Sequence, residues 1–281
     1  MPAPSDIDLV TVSYNSSGVI GDMLATVPPA VRVTIVDNAS DDHSAIADLA
    51  RTFGANLHRC EANLGFGAGC NLGASSGKRA FLLFLNPDAR LDSDCIDALC
   101  TAAASYPEAG GFSPRVLDRR NKPAFRRRSR LLPKARWWKG PPPEQDCALP
   151  LLNGAAIFVR RAHFEAVGGF DERIFLYHED DDLSIRLTTN CGPLMHVQAA
   201  TVHHAEGHST ARTAETARFK AFHMGQSAVY AMEKHGRPAP KAKVVLDAVM
   251  QLLSPLTLLS KRKRAKALGF LQGSLTPLGK G

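Results

Sequence analysis

Five short stretches of the chain gather residue types that handle phosphates, metal ions and protons. "VDNASDD" (36–42) closes an apolar run on Asp37, a carboxylate able to hydrogen-bond a base or ribose, or simply to cap the helix that follows. "NLGFGAGCNLG" (63–73) has glycines at 65, 67, 69 and 73, which permit close backbone approach to a diphosphate at a helix start. It is not the GxGxxG of a dinucleotide fold placed after a first strand, and it lacks the GK[ST] of an ATPase loop. "FLLFLNPDARL" (81–91) sets Asp88 just past a very apolar run, where a hard oxygen ligand suits Mg²⁺ or Mn²⁺ on a diphosphate and an acidic turn is the plain alternative. "YHEDDDL" (177–183) sets four carboxylates side by side, so mutual repulsion should raise at least one pKa, as a general base requires. A solvated helix start would tolerate the same acids through its dipole. "VHHAEGHS" (202–209) holds three histidines, not in HExxH spacing, and one of them can complete a metal site begun by Asp88.

The elements that must position these residues alternate. β-Branched apolar runs at 7–14 and 31–38, a short run at 55–60 and a strongly apolar run at 79–86 predict strands, with helices predicted over 18–27, 44–54, near 70–76 and over 94–107. That alternation predicts a parallel sheet covered on both faces, with ligands at the C-terminal strand ends. Those ends carry Asn15, Asp37, Asn63 and Asp88. A further buried strand is predicted at 150–161, a helix around 162–167, and a helix behind the four acids with Leu183 and Leu187 on one face. Residues 214–235 and 241–269 read as helices, the second interrupted at Pro255.

Charge separates along the 281 residues. Residues 115–139 carry 11 Lys/Arg and one acid, residues 234–281 carry 10 and one, and the remainder holds 13 bases against 25 acids. The overall charge of +7 therefore describes an acidic body with two basic attachments, unlike a nucleic-acid reader with base spread over its folded face. The first attachment, continued by the Pro-rich 140–146, is expected to be a flexible basic loop over 115–146 on the acceptor side. Six scattered cysteines without a CxxC pair argue against a zinc ribbon or a disulfide framework, and with no secretory signal in this sequence they favour the cytoplasm.

In this order the pieces resemble family 2 glycosyltransferases, and within them the bacterial rhamnosyltransferase-like branch. The matching residues are "VSYNS" (12–16), "VDNAS" (36–40), "NLGFGAGCN" (63–71), "LNPDA" (85–89), "LNGAAIFVRR" (152–161), "GGFDERIFLYHEDDDLSIR" (168–186) and "HAEGHS" (204–209). The resemblance implies a GT-A fold, Rossmann-like α/β with a mostly parallel mixed sheet, over residues 1–225, followed by a basic helical extension over 226–281. It implies a nucleoside diphosphate sugar donor and an inverting, metal-dependent transfer to a glycan or lipid-linked acceptor. Tyr14, Asn15 and Asp37 would surround the base and ribose; Asn63, Gly65, Gly67 and Asn71 would lie along the nucleotide and sugar, with Asn86 beside them. Asp88 and His204 would hold Mg²⁺ or Mn²⁺, Asn86 standing where relatives have the first acid of Asp-x-Asp. Glu179-Asp180 matches the base motif, with Asp180 the base and Asp181 an acid where relatives are usually apolar.

Two rivals remain at this stage. A sugar nucleotidyltransferase would carry a base in the loop after the first strand, and "SYNSSGVIG" has none. A non-catalytic basic protein that binds membrane or RNA leaves the carboxylates without purpose. Residues 244–259 are apolar between basic flanks but too short and too interrupted to span a bilayer, so peripheral contact with anionic membrane at the inner face of the cell membrane is expected.

Overall fold

The computed structural model describes residues 1–204 and 213–278 of the protein. Two buried β-branched runs form β1 (Ile7–Ser13) and β2 (Arg32–Asp37), and β3 (Asn56–Arg59) extends them in parallel. β4 (Phe81–Leu85) is parallel to the other side of β1. Helices α1 (Ser17–Leu24), α2 (His43–Thr52) and α3 (Phe66–Ser75) join these strands and cover both faces of the sheet, which explains the continuous burial of β1 and β4; β3, at the edge, has no buried residue. Short strand β5 (Ala89–Leu91) and helix α4 (Cys95–Ser105) follow, as the amphipathic pattern over 94–107 predicts.

Beyond α4 the sheet turns mixed. β6 (Gly111–Leu117), β7 (Cys147–Leu149), β8 (Ala156–Arg160) and β9 (Leu194–His204) complete it. Among the described residues the order is β3-β2-β1-β4-β8-β6-β9-β5, with β7 on β9 as well. β8 runs antiparallel to β4 and β6, whereas β6 and β9 are parallel. The strand expected over 150–161 is confined to β8, because residues 150–155 turn before entering it. Strands β5, β6, β7 and β9 are absent from the sequence-based prediction. β6 contains Pro114 and is bulged against β9 after it, and β9 mixes Gln198, His203 and His204 into its run, so their apolar signal is broken.

The segment 118–146, expected to be a flexible loop, is irregular but packed. Ser129, Leu131 and Leu132 are buried, Asn153 Nδ2 donates to Ala124 O (2.6 Å), and Phe125 meets Trp138 edge to face at 5.3 Å. The loop expected to begin at 115 begins later, and residues 115–117 belong instead to β6.

After α5 (Arg161–Ala166) and α6 (Glu179–Asn190), the chain ends in α7 (Ala214–Lys234), α8 (Pro240–Leu253), α9 (Pro255–Leu258) and α10 (Lys261–Leu275). The break expected after residue 225 falls inside α7. A Cβ on Gly225 or Gly273 would strike the backbone of the facing helix, so α7 and α10 approach backbone to backbone there. Ala228, Ala231 and Met232 of α7, Val244 and Ala248 of α8 and Phe270 of α10 share a core with Leu131 and Ile174, so these helices pack onto the sheet domain's own loops.

Candidate active site

The strand ends of β1, β2 and β3 border a recess of about 420 Å³ lined by Ala39, Ser40, Asp41, Arg59, Cys60 and Glu61. Asp37 is fully buried; one oxygen accepts from Ser40 N (3.0 Å) and the other pairs with His43 Nδ1. Asn15 N donates to Ser40 Oγ (3.0 Å) and Asn15 Oδ1 accepts from Asp41 N (2.7 Å). Asn15 and Ala39 sit at φ +53° and +63°, backbone strain that the cross-loop bonds sustain beside the recess. Tyr14 is exposed at the same edge. Asn15 and Asp37 are thus joined through Ser40 and shape the loops, and Tyr14 precedes Asn15 in the chain. Arg59 and Glu61 were missed by sequence reasoning because a four-residue edge strand carries little pattern.

The glycine stretch packs closely against a distant part of the chain. Gly65 has φ +87°, and a Cβ there would lie 2.3 Å from Phe175 O; Phe66 N donates to the same oxygen (3.1 Å). A Cβ on Gly67 would press on Phe170. The close approach at Gly65 and Gly67 is to the chain's own 170–175 segment. Asn63 Oδ1 accepts from Asn38 Nδ2 and Gly65 N (both 2.9 Å), and Asn71 clasps Phe170 through its N and O (both 2.9 Å) and Glu172 (3.0 Å). Asn71 holds α3 against the segment that leads into α6, and Asn63 ties the turn before α3 to Asn38 at the end of β2.

Asp88 and His204 do come together. The β5–β9 pairing sets Ala89 opposite His204, which brings His204 Nε2 to 3.1 Å from Asp88 Oδ1. Asn86 Nδ2 lies 3.3 Å from the same ring nitrogen, so Asn86 faces the histidine. Among the described residues no group of three or more His, Cys, Asp or Glu could hold a metal ion. A carboxylate plus an imidazole is nonetheless a donor pair that suits a divalent ion sharing its remaining positions with phosphate and water. The remainder of "HAEGHS", with His208, lies outside the described residues. Lys220 on α7 is a member that sequence reasoning missed: burial lowers its pKa and the charge of Asp88 opposes that.

The four acids open α6, behind two residues with positive φ, Tyr177 (+68°) and His178 (+72°). They are all buried, and their partners differ. Asp182 meets Lys234 Nζ (2.7 Å), His235 Nε2 (2.8 Å) and Arg186 Nε (2.8 Å); these outweigh the burial that would raise it and hold it at about 2. Asp181 is likewise held at about 2, burial being overcome by His178 (3.1 Å), Arg126 (2.5 Å) and the hydroxyl of Ser129 (2.7 Å). Asp180 is raised by burial, an effect that the Arg126 guanidinium at 3.7 Å opposes. Glu179 is pushed up to about 8 by burial and then by the charge of Asp180, and among the described residues its Oε2 has no hydrogen-bond partner. At neutral pH this leaves Glu179 a neutral acid and the next two acids consumed in ion pairs, while Asp180 has the Arg126 guanidinium at 3.7 Å as its nearest cation. Arg126, from 54 positions upstream of Asp180, gave no specific signal within its basic run.

The two clusters share a border. Asn86 N donates to Ala155 O (3.0 Å), and a Cβ on the neighbouring Gly154 would lie 2.9 Å from Asp180 Oδ2. Only glycine leaves the Asp180 carboxylate room there.

This mixed sheet, with loops gathered at the C-terminal ends of its parallel strands, is the GT-A fold. It superposes with TM-score 0.60 on GalNAc-T7 with UDP, GalNAc and Mn²⁺ (13% identity, 93% of this chain), of which it spans 54%, about half. It superposes at 0.57 on the mannosyltransferase PcManGT of Pyrobaculum calidifontis with GDP-Man and Mn²⁺ (16% identity, 98% of this chain and 88% of that one). Residues 8–168 match the Glycosyl transferase family 2 profile, and the chain belongs to that family and is a glycosyltransferase. It is rhamnosyltransferase-like: the N-acetylglucosaminyl-diphospho-decaprenol L-rhamnosyltransferase of Mycobacterium tuberculosis is 29% identical over 303 residues, 95% of this chain and 98% of that protein.

Proposed function

We propose that the protein is an inverting, divalent-metal-dependent rhamnosyltransferase that moves the sugar of a nucleoside diphosphate rhamnose to a hydroxyl of a lipid-linked glycan acceptor in cell-envelope polysaccharide synthesis. The near full-length likeness to the mycobacterial enzyme supports donor and acceptor. The observation that carries the chemistry is the border between Asp180 and the Asn86–Asp88 turn across Gly154, which puts one available carboxylate next to the expected diphosphate site.

The acceptor oxygen attacks the anomeric carbon as the bond to the diphosphate breaks. The electron pair leaves with the diphosphate, and the acceptor proton passes to Asp180. A single attack from the face opposite the leaving group inverts the centre. Asp180 suits the base role because it is buried yet only loosely paired, whereas Asp181 and Asp182 are committed to Arg126, His178, Ser129, Lys234, His235 and Arg186. Asp88 and His204 would hold the metal ion, which supplies charge neutralisation of the departing diphosphate. Lys220 adds a cation to the same region.

Asp180→Asn is nearly isosteric and tests this directly. It should bind donor normally and transfer at least about 10²-fold more slowly. If Asp181→Asn is the crippled variant instead while Asp180→Asn transfers normally, the base assignment is wrong.

A further inference from the structure

α8 presents apolar side chains on two faces. Val244 and Ala248 are buried against α7 and α10, while on the outer side Leu246, Val249, Met250 and Leu253 are 59, 38, 64 and 73% exposed. These four follow the i, i+3, i+4, i+7 spacing of one helical stripe. Leu259, just past α9, is 85% exposed. Scattered apolar residues on a surface need no explanation, but a contiguous stripe marks an interaction face.

The charge around the stripe says what covers it. Lys241 and Lys243 stand exposed at the start of α8, and Lys261, Arg262 and Lys263 stand exposed at the start of α10. The positive end of the α10 dipole disfavours cations there, so helix stability does not account for them. Asp247, the one acid from 234 to 281, is already paired with Arg130 (2.5 Å). A second copy docking by the same face would set these cations against their own kind. Anionic phosphate headgroups above an acyl boundary complement both features, taking the leucines inward and the cations at the phosphates. Among the described residues no helix is long and apolar enough to cross a membrane, so the contact is one of lying on the surface.

We propose that the outer face of α8, with Leu259 and the start of α10, is a docking surface for an anionic lipid bilayer. The inference deepens the lipid-linked acceptor reading, yet it stands on the stripe itself. It also joins the surface to the chemistry: Arg130 on Asp247, Ser129 Oγ on Asp181 (2.7 Å) and Arg126 on Asp181 belong to one five-residue segment. The bilayer-facing helix and the first turn of the base helix are therefore held by the same piece of chain.

The test is co-sedimentation of the full chain with vesicles of phosphatidylcholine containing phosphatidylglycerol, and with phosphatidylcholine alone, in the absence of donor and acceptor. The protein should pellet with the anionic vesicles at low salt and come off as salt rises. Leu246→Gln/Met250→Gln/Leu253→Gln should weaken partitioning about 100-fold, and Lys261→Gln/Arg262→Gln/Lys263→Gln by a similar factor on anionic vesicles only. Both triple variants change exposed residues, and unchanged circular dichroism and melting establish that they fold. Equal pelleting of the stripe variant and the parent overturns the proposal. So does failure of the parent to bind anionic vesicles, and a stripe variant that converts a dimer to a monomer without vesicle binding assigns the face to a second copy. Hydrolysis of a nucleoside diphosphate rhamnose by the parent protein with Mn²⁺ is measured separately: its absence with vesicle binding intact would refute the rhamnosyl transfer proposed above and leave the docking surface standing.

Discussion

Glu179→Gln separates the electrostatics of the acid cluster from its chemistry. Glu179 has a folded-state pKa of about 8 against an ordinary 4.5, because burial and then the charge of Asp180 disfavour its ionised form. Between those values the native state keeps the proton and the unfolded state has lost it. The favourable contribution of the neutral acid is therefore complete below pH 4.5 and is lost progressively as pH rises to about 8. The slope is about 1.4 kcal/mol per pH unit, which over the two and a half units to pH 7 amounts to roughly 3 kcal/mol. Since Glu179 and Asp180 titrate together, about 2 kcal/mol is the safer figure for one member. Glutamine mimics the neutral acid and does not titrate. The variant should match the parent's stability at pH 5 and exceed it by about 2 kcal/mol at pH 7.5, or roughly 4–6 °C in melting temperature for a chain of this size. Denaturant unfolding of both proteins at four pH values from 5 to 8 measures the difference. A stability difference that does not change with pH, or one that shrinks towards pH 8, refutes the buried neutral acid.

Arg126→Gln removes the cation 3.7 Å from Asp180, so the base should ionise only at higher pH and the acid limb of the kcat/KM profile should move upward; an unmoved limb detaches Arg126 from the base. Asp88→Asn should abolish the Mn²⁺-dependent part of donor affinity in titration calorimetry while leaving melting unchanged, and unaltered Mn²⁺ dependence would remove Asp88 from the metal pair.

Much of the nucleotide half was readable from local pattern. The β-branched runs of β1 and β2 and the Leu/Phe run of β4 are buried on both faces, which a parallel sheet requires, and the helices between them follow their periodicity. Asp37 and Asp88 at strand ends were found for the same reason. The roles of the glycines and asparagines were not readable. Gly65, Gly67 and Asn71 suit a diphosphate loop by type, yet the partners that need their small size or amides are Phe170, Glu172 and Phe175, about a hundred residues on.

By itself the sequence determined that four acids begin a helix, that Asp88 follows a buried strand, and that the basic residues fall in two blocks. Only the tertiary structure decided which acid is available. Asp181 and Asp182 are paired with Arg126 and Lys234 and hydrogen-bonded by Ser129 and His235, each about fifty residues away, and Asp180 keeps its room because Gly154 has no side chain. Secondary structure follows from periodicity, which is local. A carboxylate's charge state follows from burial and from the charges within a few ångströms, and chain folding brings those together from anywhere in the sequence.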